Sequence, residues 1–166
     1  MKIAIISDIH DNLESLQACF DKINKNKEIL QVICLGDVCS PFTFKMFDDL
    51  EIKSFFVFGN NDGDRGVIMR DFSNKSKMEF SGREWGELKV DDKIYFCTHF
   101  PELALNAVET NKYDAVFYGH THKKEYKIIN GTPIINPGKL AIYPQDILFS
   151  FAIFDTSSNS VEFIEF

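Results

Sequence analysis

The sequence predicts an α/β fold, a pair of mixed β-sheets with helices outside. Three observations point to it. Short apolar runs recur along the chain, at residues 3–6, 32–35, 55–58, 94–97 and 115–118, and each leads into a polar residue, directly or after a single glycine. Amphipathic helical segments separate the early runs, which is the pattern of βαβ units. The second half carries hairpin signals instead, so the sheets are mixed rather than all parallel.

Taken in order, the runs are rich in Ile, Val, Phe and Tyr, as buried strands are. After the first run, Asp11 reads as a helix N-cap with Glu14 three positions on, and Leu13, Leu16, Phe20 and Ile23 share a face. Ser40-Pro41 reads as an N-cap and first helical position, followed by the apolar Phe44, Phe47 and Leu50. Pro101 opens a third helix with Leu105 and Val108 on one side. Asp91-Asp92 lies between residues 87–90 and 93–97 as a hairpin turn, and Asn130-Gly131 between 125–129 and 132–135 as another. Residues 148–154 and 161–166 close the chain as two more strands.

The 166 residues favour one domain spanning 1–166. The 17 phenylalanines predict an aromatic core. No apolar run reaches the ~18 residues of a membrane span, and the first six residues are too short for a signal peptide. A soluble, cytoplasmic protein is expected, and Cys19, Cys34, Cys39 and Cys97 are read as reduced thiols because none forms a CxxC pair. The formal net charge of −7, with no basic stripe, weighs against a nucleic-acid partner. A small phosphorylated substrate stays open if bound metal reverses the sign locally. The apolar final strands leave a homo-oligomer open.

The chemistry concentrates at the strand ends, where α/β sheets place ligands. All four histidines, His10, His99, His120 and His122, sit there, joined by Asp8, Asp37 and Asn60. Imidazoles, carboxylates and one amide oxygen form a mixed N/O set suited to borderline divalent ions. It is too rich in nitrogen for a calcium or magnesium cage, and too large for one closed tetrahedral site. Two divalent ions sharing a carboxylate fit it, with manganese the first expectation and iron, zinc or nickel the alternatives. In Asp8-Ile9-His10 and His120-Thr121-His122, an extended backbone would point residues i and i+2 to one side. Gly36, Gly59 and Gly119 would let the main chain crowd towards the cluster.

The ordered series Asp8-x-His10, Gly36-Asp37, Gly59-Asn60-x-Asp62, His99 and Gly119-His120-x-His122 resembles the calcineurin-like metallophosphoesterases. The short spacing between motifs resembles their small YfcE-type phosphodiesterase branch, and Asn136-Pro137-Gly138 is similar to that branch's Asn-Pro-Gly-Ser loop. The resemblance implies a four-layer αββα fold of two facing mixed sheets flanked by helices. It implies that Asp8, His10, Asp37 and His122 hold one metal and Asp37, Asn60, His99 and His120 the other, with Asp37 bridging. It implies hydrolysis of small phosphodiesters by a hydroxide formed between two ions that lower the pKa of water towards ~7.

The chain departs from the family pattern at Asn61, where most members have a histidine assigned to protonate the leaving group. An amide is no useful general acid. Asn61 is expected to contact a phosphoryl oxygen, and Asp62 to orient a ligand or the neighbouring backbone. Lys139 stands where the loop usually has serine and reads as a solvated lysine. The rival readings are a non-enzymatic interaction scaffold on the same fold, which would tolerate loss of the ligands that are all filled here, and a phosphomonoesterase.

Overall fold

The computed structural model describes residues 1–143 and 148–166. Alternating side chains build two sheets back to back. In the first, the order β11-β10-β1-β2-β3-β4 joins β1 (Lys2–Ile6), β2 (Ile29–Cys34), β3 (Lys53–Phe56) and β4 (Met78–Phe80) in parallel. β10 (Ser150–Asp155) and β11 (Ser160–Glu165) are added antiparallel. The second sheet has the order β5-β6-β7-β9-β8, from β5 (Trp85–Val90), β6 (Lys93–Thr98), β7 (Ala115–Phe117), β8 (Lys124–Ile129) and β9 (Thr132–Pro137).

Strand alternation assigns the layers. Ile3 and Ile5 of β1 face inwards to meet Tyr95, Cys97, Phe117 and Ile135 of the second sheet. Ala4 and Ile6 face outwards, against α1 (Leu13–Lys25), α2 (Pro41–Phe44) with its 3₁₀ continuation (Lys45–Asp49), and α3 (Arg65–Phe72). On the far side, α4 (Pro101–Glu109) covers Phe96, Val116 and Ile134. The architecture is the anticipated four-layer αββα. The aromatic core is concentrated under α2, where the Phe44 ring meets those of Phe47, Phe56, Phe72 and Phe80 at 5.6–6.1 Å. Both hairpin turns form as read. Asn130 (φ 51°) and Gly131 (φ 82°) take the consecutive left-handed conformations of a type I′ turn.

Several local readings are corrected. The N-cap of α1 is Asn12, whose Oδ1 accepts from Ser15 N at 3.3 Å. Asp11 instead turns away at φ 55° and accepts from Ser40 N and Ser40 Oγ, both at 2.9 Å, and from Thr43 Oγ1. Two adjacent residues could each cap this helix, and a tertiary contact chose between them: Asn12 Nδ2 also donates to Leu140 O at 2.8 Å. Leu13 and Leu105 are half-exposed, because the buried stripes run through Leu16, Cys19, Phe20 and Ile23 in α1 and through Ala104, Ala107 and Val108 in α4. Lys139 is buried, not solvated. Its loop is sewn in by Leu140 N to Asp8 O (3.1 Å) and Ser150 N to Lys139 O (2.9 Å). Neither α3 nor the three-residue β4 was foreseen; both are short, and α3 starts from Asp64 in a left-handed conformation, φ 45°. All four cysteines are free. Among the described residues, no helix is long and apolar enough to cross a membrane.

Candidate metal centre

Five of the loops that leave strand ends meet at one rim. Backbone hydrogen bonds set their relative positions. Asp8 N donates to Gly36 O (3.1 Å), Ile9 N and His10 N both donate to Asp37 O (2.9 Å each), and Gly119 N donates to His99 O (3.1 Å). The extended-backbone argument for Asp8/His10 and His120/His122 does not hold. Asp8 (φ 54°), His10 (46°), Asp37 (52°), His120 (69°) and His122 (59°) are all left-handed. Aspartate and histidine tolerate this region better than most residues, and clusters of such conformations accompany functional sites. The side chains converge because the main chain turns sharply past each strand end, not because strands continue.

Two glycines make the approach possible. A Cβ on Gly59 would lie 2.2 Å from Asp37 Oδ1, and one on Gly119 would lie 2.0 Å from Ser7 Oγ and 2.9 Å from Asp8 Oδ2. No side chain fits at either position without displacing the carboxylate beside it.

All seven sequence-identified residues come together around two buried carboxylates. Asp37 Oδ2 lies 3.3 Å from His10 Nε2 and 3.4 Å from His99 Nε2. Asp8 Oδ1 lies 3.2 Å from His122 Nε2 and 4.0 Å from the Nε2 atoms of His10 and His99. His99 Nε2 is 3.1 Å from Asn60 Oδ1 and 3.2 Å from His120 Nδ1. His99 Nδ1 faces Leu35 O at 2.8 Å, so the proton belongs on Nδ1 and the Nε2 lone pair points into the cluster. Ligand atoms of Asp8, His10 and His122 lie within 4.8 Å of one another, as do those of Asp8, Asp37 and His99.

The electrostatics are those of a cation site. Asp8 Oδ1 and His10 Nε2 are buried, and neither has a hydrogen-bond partner. A buried acceptor left without a donor is costly, and a divalent ion would satisfy it. Burial pushes the Asp37 carboxyl up, but contacts with His10 and His99 more than offset this and hold it well below the usual carboxylate range. His10 is raised, chiefly by Asp37. His99 is lowered by burial and raised further by Asp37 and Asp8. The donor set and the orphaned oxygen fit divalent metal.

A model of the calcineurin-like phosphoesterase superfamily domain matches residues 1–159. The chain belongs to this superfamily. It is 30% identical over 148 residues to a phosphodiesterase of Methanocaldococcus jannaschii, covering 86% of each chain. The solved structure of an archaeal phosphodiesterase superposes with a TM-score of 0.91 at 28% identity, covering 100% of both chains. The Escherichia coli phosphoesterase YfcE shares the fold (TM-score 0.65, 19% identity, 99% of this chain and 98% of that one). So does zinc-complexed Vps29 of Entamoeba histolytica (TM-score 0.65, 19% identity, 100% and 98%).

Within this superfamily domain, the motif that departs from the common pattern is anchored by its last residue. The Asp62 carboxylate accepts from four backbone amides: Asp37 (3.0 Å), Val38 (2.8 Å), Cys39 (2.9 Å) and Gly59 (2.6 Å). These bonds tie the Asp37 loop to the Gly59 turn that precedes Asn60. Burial raises the Asp62 carboxyl, and the amides of Gly59 and Cys39 oppose that. Asn61 is tied to Asp37 through its backbone N (2.7 Å to Oδ1) and its amide (2.8 Å from Nδ2 to Oδ2). Sequence reasoning missed three supports. Arg65 donates to Gly59 O (2.7 Å) and Glu84 Oε1 (2.5 Å). The Glu84 carbonyl accepts from His99 N (3.2 Å) and Thr98 Oγ1 (2.9 Å). Cys39 Sγ lies 3.9 Å from His10 Nδ1, with its thiol pushed by burial up to about 12. Arg65 and Glu84 carry no local signal, since their roles depend on partners supplied by folding. Asn136, already noted within its loop motif, donates to Gly119 O (2.8 Å) and Thr121 Oγ1 (3.1 Å).

Proposed function

We propose that this chain is a phosphodiesterase that works with two divalent ions, manganese foremost. Asp8, His10, Asp37 and His122 would hold one ion, and Asp37, Asn60, His99 and His120 the other, with Asp37 shared. When bound, such a pair supplies Lewis-acid charge for a phosphoryl group and brings the pKa of water towards ~7. The observation that carries the reading is Asp8 Oδ1, a buried carboxylate oxygen with no donor, set among imidazole nitrogens.

The chain's own residues divide the remaining work. Leu35 O and the Nδ1 proton fix the His99 tautomer, so that in the neutral imidazole Nε2 is the ligand atom. The Asn61 amide uses one N–H on Asp37 and has a second to offer a phosphoryl oxygen at the rim. Position 61 cannot supply a proton, so the leaving group departs as an anion or takes its proton from solvent. This favours diesters with good leaving groups. Two divalent ions outweigh the charge of Asp8 and Asp37, so the pit is locally positive on a protein of formal charge −7, which suits a small anion better than a long polyanion.

The test is metal content by mass spectrometry together with hydrolysis of an activated phosphodiester and its monoester counterpart. The wild type should take up two ions per chain and cleave the diester faster. Asp37→Ala should lose metal and activity together; a variant that kept both at wild-type levels would reject the shared-carboxylate role.

A further inference from the structure

The second proposed ion draws its ligands from both sheets. Asn60 follows β3 of the first sheet, whereas His99 and His120 follow β6 and β7 of the second. Asn60 Oδ1 and His99 Nε2 nevertheless stand 3.1 Å apart. Phe58 N to Arg83 O (2.8 Å) and His99 Nδ1 to Leu35 O (2.8 Å) cross between the sheets nearby, and one guanidinium links the Gly59 and Glu84 turns themselves. Arg65 Nη2 donates to the carbonyl of Gly59, the residue before Asn60, at 2.7 Å. Its Nη1 donates to Glu84 Oε1 at 2.5 Å. The main-chain oxygen of the same Glu84 accepts from His99 N and from the hydroxyl of Thr98. The guanidinium also lies over the Phe58 ring, 4.9 Å from its centroid.

An ordinary surface ion pair would contribute little to holding a site. Arg65 and Glu84 are each only partly exposed, and a planar fork fixed by a carbonyl, a carboxylate and an aromatic face has little freedom left. Among the described residues, no hydrogen bond of Arg65 or Glu84 reaches Asp8, His10 or His122.

We propose that Arg65, acting through Glu84, is the positioning residue that sets the affinity of the second ion, the one held by Asp37, Asn60, His99 and His120, and leaves the first ion's affinity unchanged. This rests on the two-ion reading above. Arg65 touches neither ion nor substrate; it aligns Gly59-Asn60 with Thr98-His99.

The experiment is calorimetric titration of Mn²⁺ into metal-free protein, with electron paramagnetic resonance to detect the spin-coupled manganese pair. The variants are Arg65→Gln, Arg65→Lys and Glu84→Gln. Arg65→Gln should weaken one binding step about 10–100-fold, the range for a group that orients ligands, and leave the other within about twofold. The coupled-pair signal should then need correspondingly more Mn²⁺. Arg65→Lys should fall between, since one ammonium cannot reproduce the fork. Adding Arg65→Gln to His122→Ala should produce the full loss, and adding it to Asn60→Ala should produce almost none. Equal weakening of both steps, or full additivity with Asn60→Ala, would overturn selective positioning. Two wild-type-like steps in a folded Arg65→Gln would overturn this inference alone. A wild type that takes up no Mn²⁺ would overturn the parent reading and this one with it.

Discussion

The loops from the first sheet and those from the second reach the same rim but are fastened differently. On the first sheet, the turns bearing Asp8, Asp37 and Asn60 are bound to one another through main-chain groups. Asp37 O accepts two amides from the Asp8 loop, and Asp62 gathers four more from the Asp37 and Gly59 turns. On the second sheet, the histidine turns are joined by the Gly119 N to His99 O link, His99 N is held by Glu84 O, and side chains add the rest: Thr98 and His99 reach out, and Asn136 reaches in. The carboxylate side is therefore preorganised before a cation arrives. The imidazole side depends on fewer, longer-range supports.

The strongest way to break that comparison is Asp62→Ala. It leaves three buried amides and one part-buried amide without an acceptor, and a loss on the order of 4 kcal/mol in metal-free stability is expected, read by urea denaturation. On the second-sheet side, Asn136→Ala removes the donor to Gly119 O and Thr121 Oγ1 and should cost about 2 kcal/mol by the same measurement. If Asn136→Ala proved the more damaging of the two, the contrast between the sheets would be reversed.

Asn61→His sharpens the comparison chemically by placing a proton donor on the first-sheet rim. Rates should rise about tenfold for diesters with poor leaving groups and little for activated ones. A uniform change across a leaving-group series would contradict the assignment of position 61.

The smallest effect is in pH. His10 and His99 are raised above the ordinary 6.5 in the folded, metal-free protein. Their contribution to stability is then fully present below about pH 6.5 and is lost as pH rises through the raised values. Asp37 works in the opposite sense, but its carboxyl is held so low that its contribution stays constant across this window. Metal-free melting temperatures should decline slightly from about pH 6 to 8, while Mn²⁺ affinity climbs because an ion needs neutral imidazole. Melting and Mn²⁺ titration curves that are flat with pH would remove the proton competition.

Much of this was legible in the chain. The apolar runs ending on polar residues located the β1, β2, β3, β6 and β7 strands, and the two turn dipeptides located the hairpins. The seven residues that the fold gathers at the rim were legible because each is a chemically distinctive residue at a strand end. Less distinctive features were not. Asp11 and Asn12 are equivalent as caps until Ser40 and Leu140 arrive to claim them. Leu13 and Leu105 fit a helical stripe that packing then rotated away from.

The sequence by itself determined which groups are on offer at the rim, because imidazole, carboxylate and amide are fixed by residue type and their order along the chain is fixed by covalent bonds. Only the tertiary structure decided how they meet. Left-handed turns at Asp8, His10, Asp37, His120 and His122 bring the groups round, and the Asp62 bond to Asp37 N and the Arg65–Glu84 pair tie together loops from different strands. Outside a hairpin turn a left-handed residue costs energy locally, and the rim turns are held by contacts from neighbouring strand ends, which no stretch of chain contains alone.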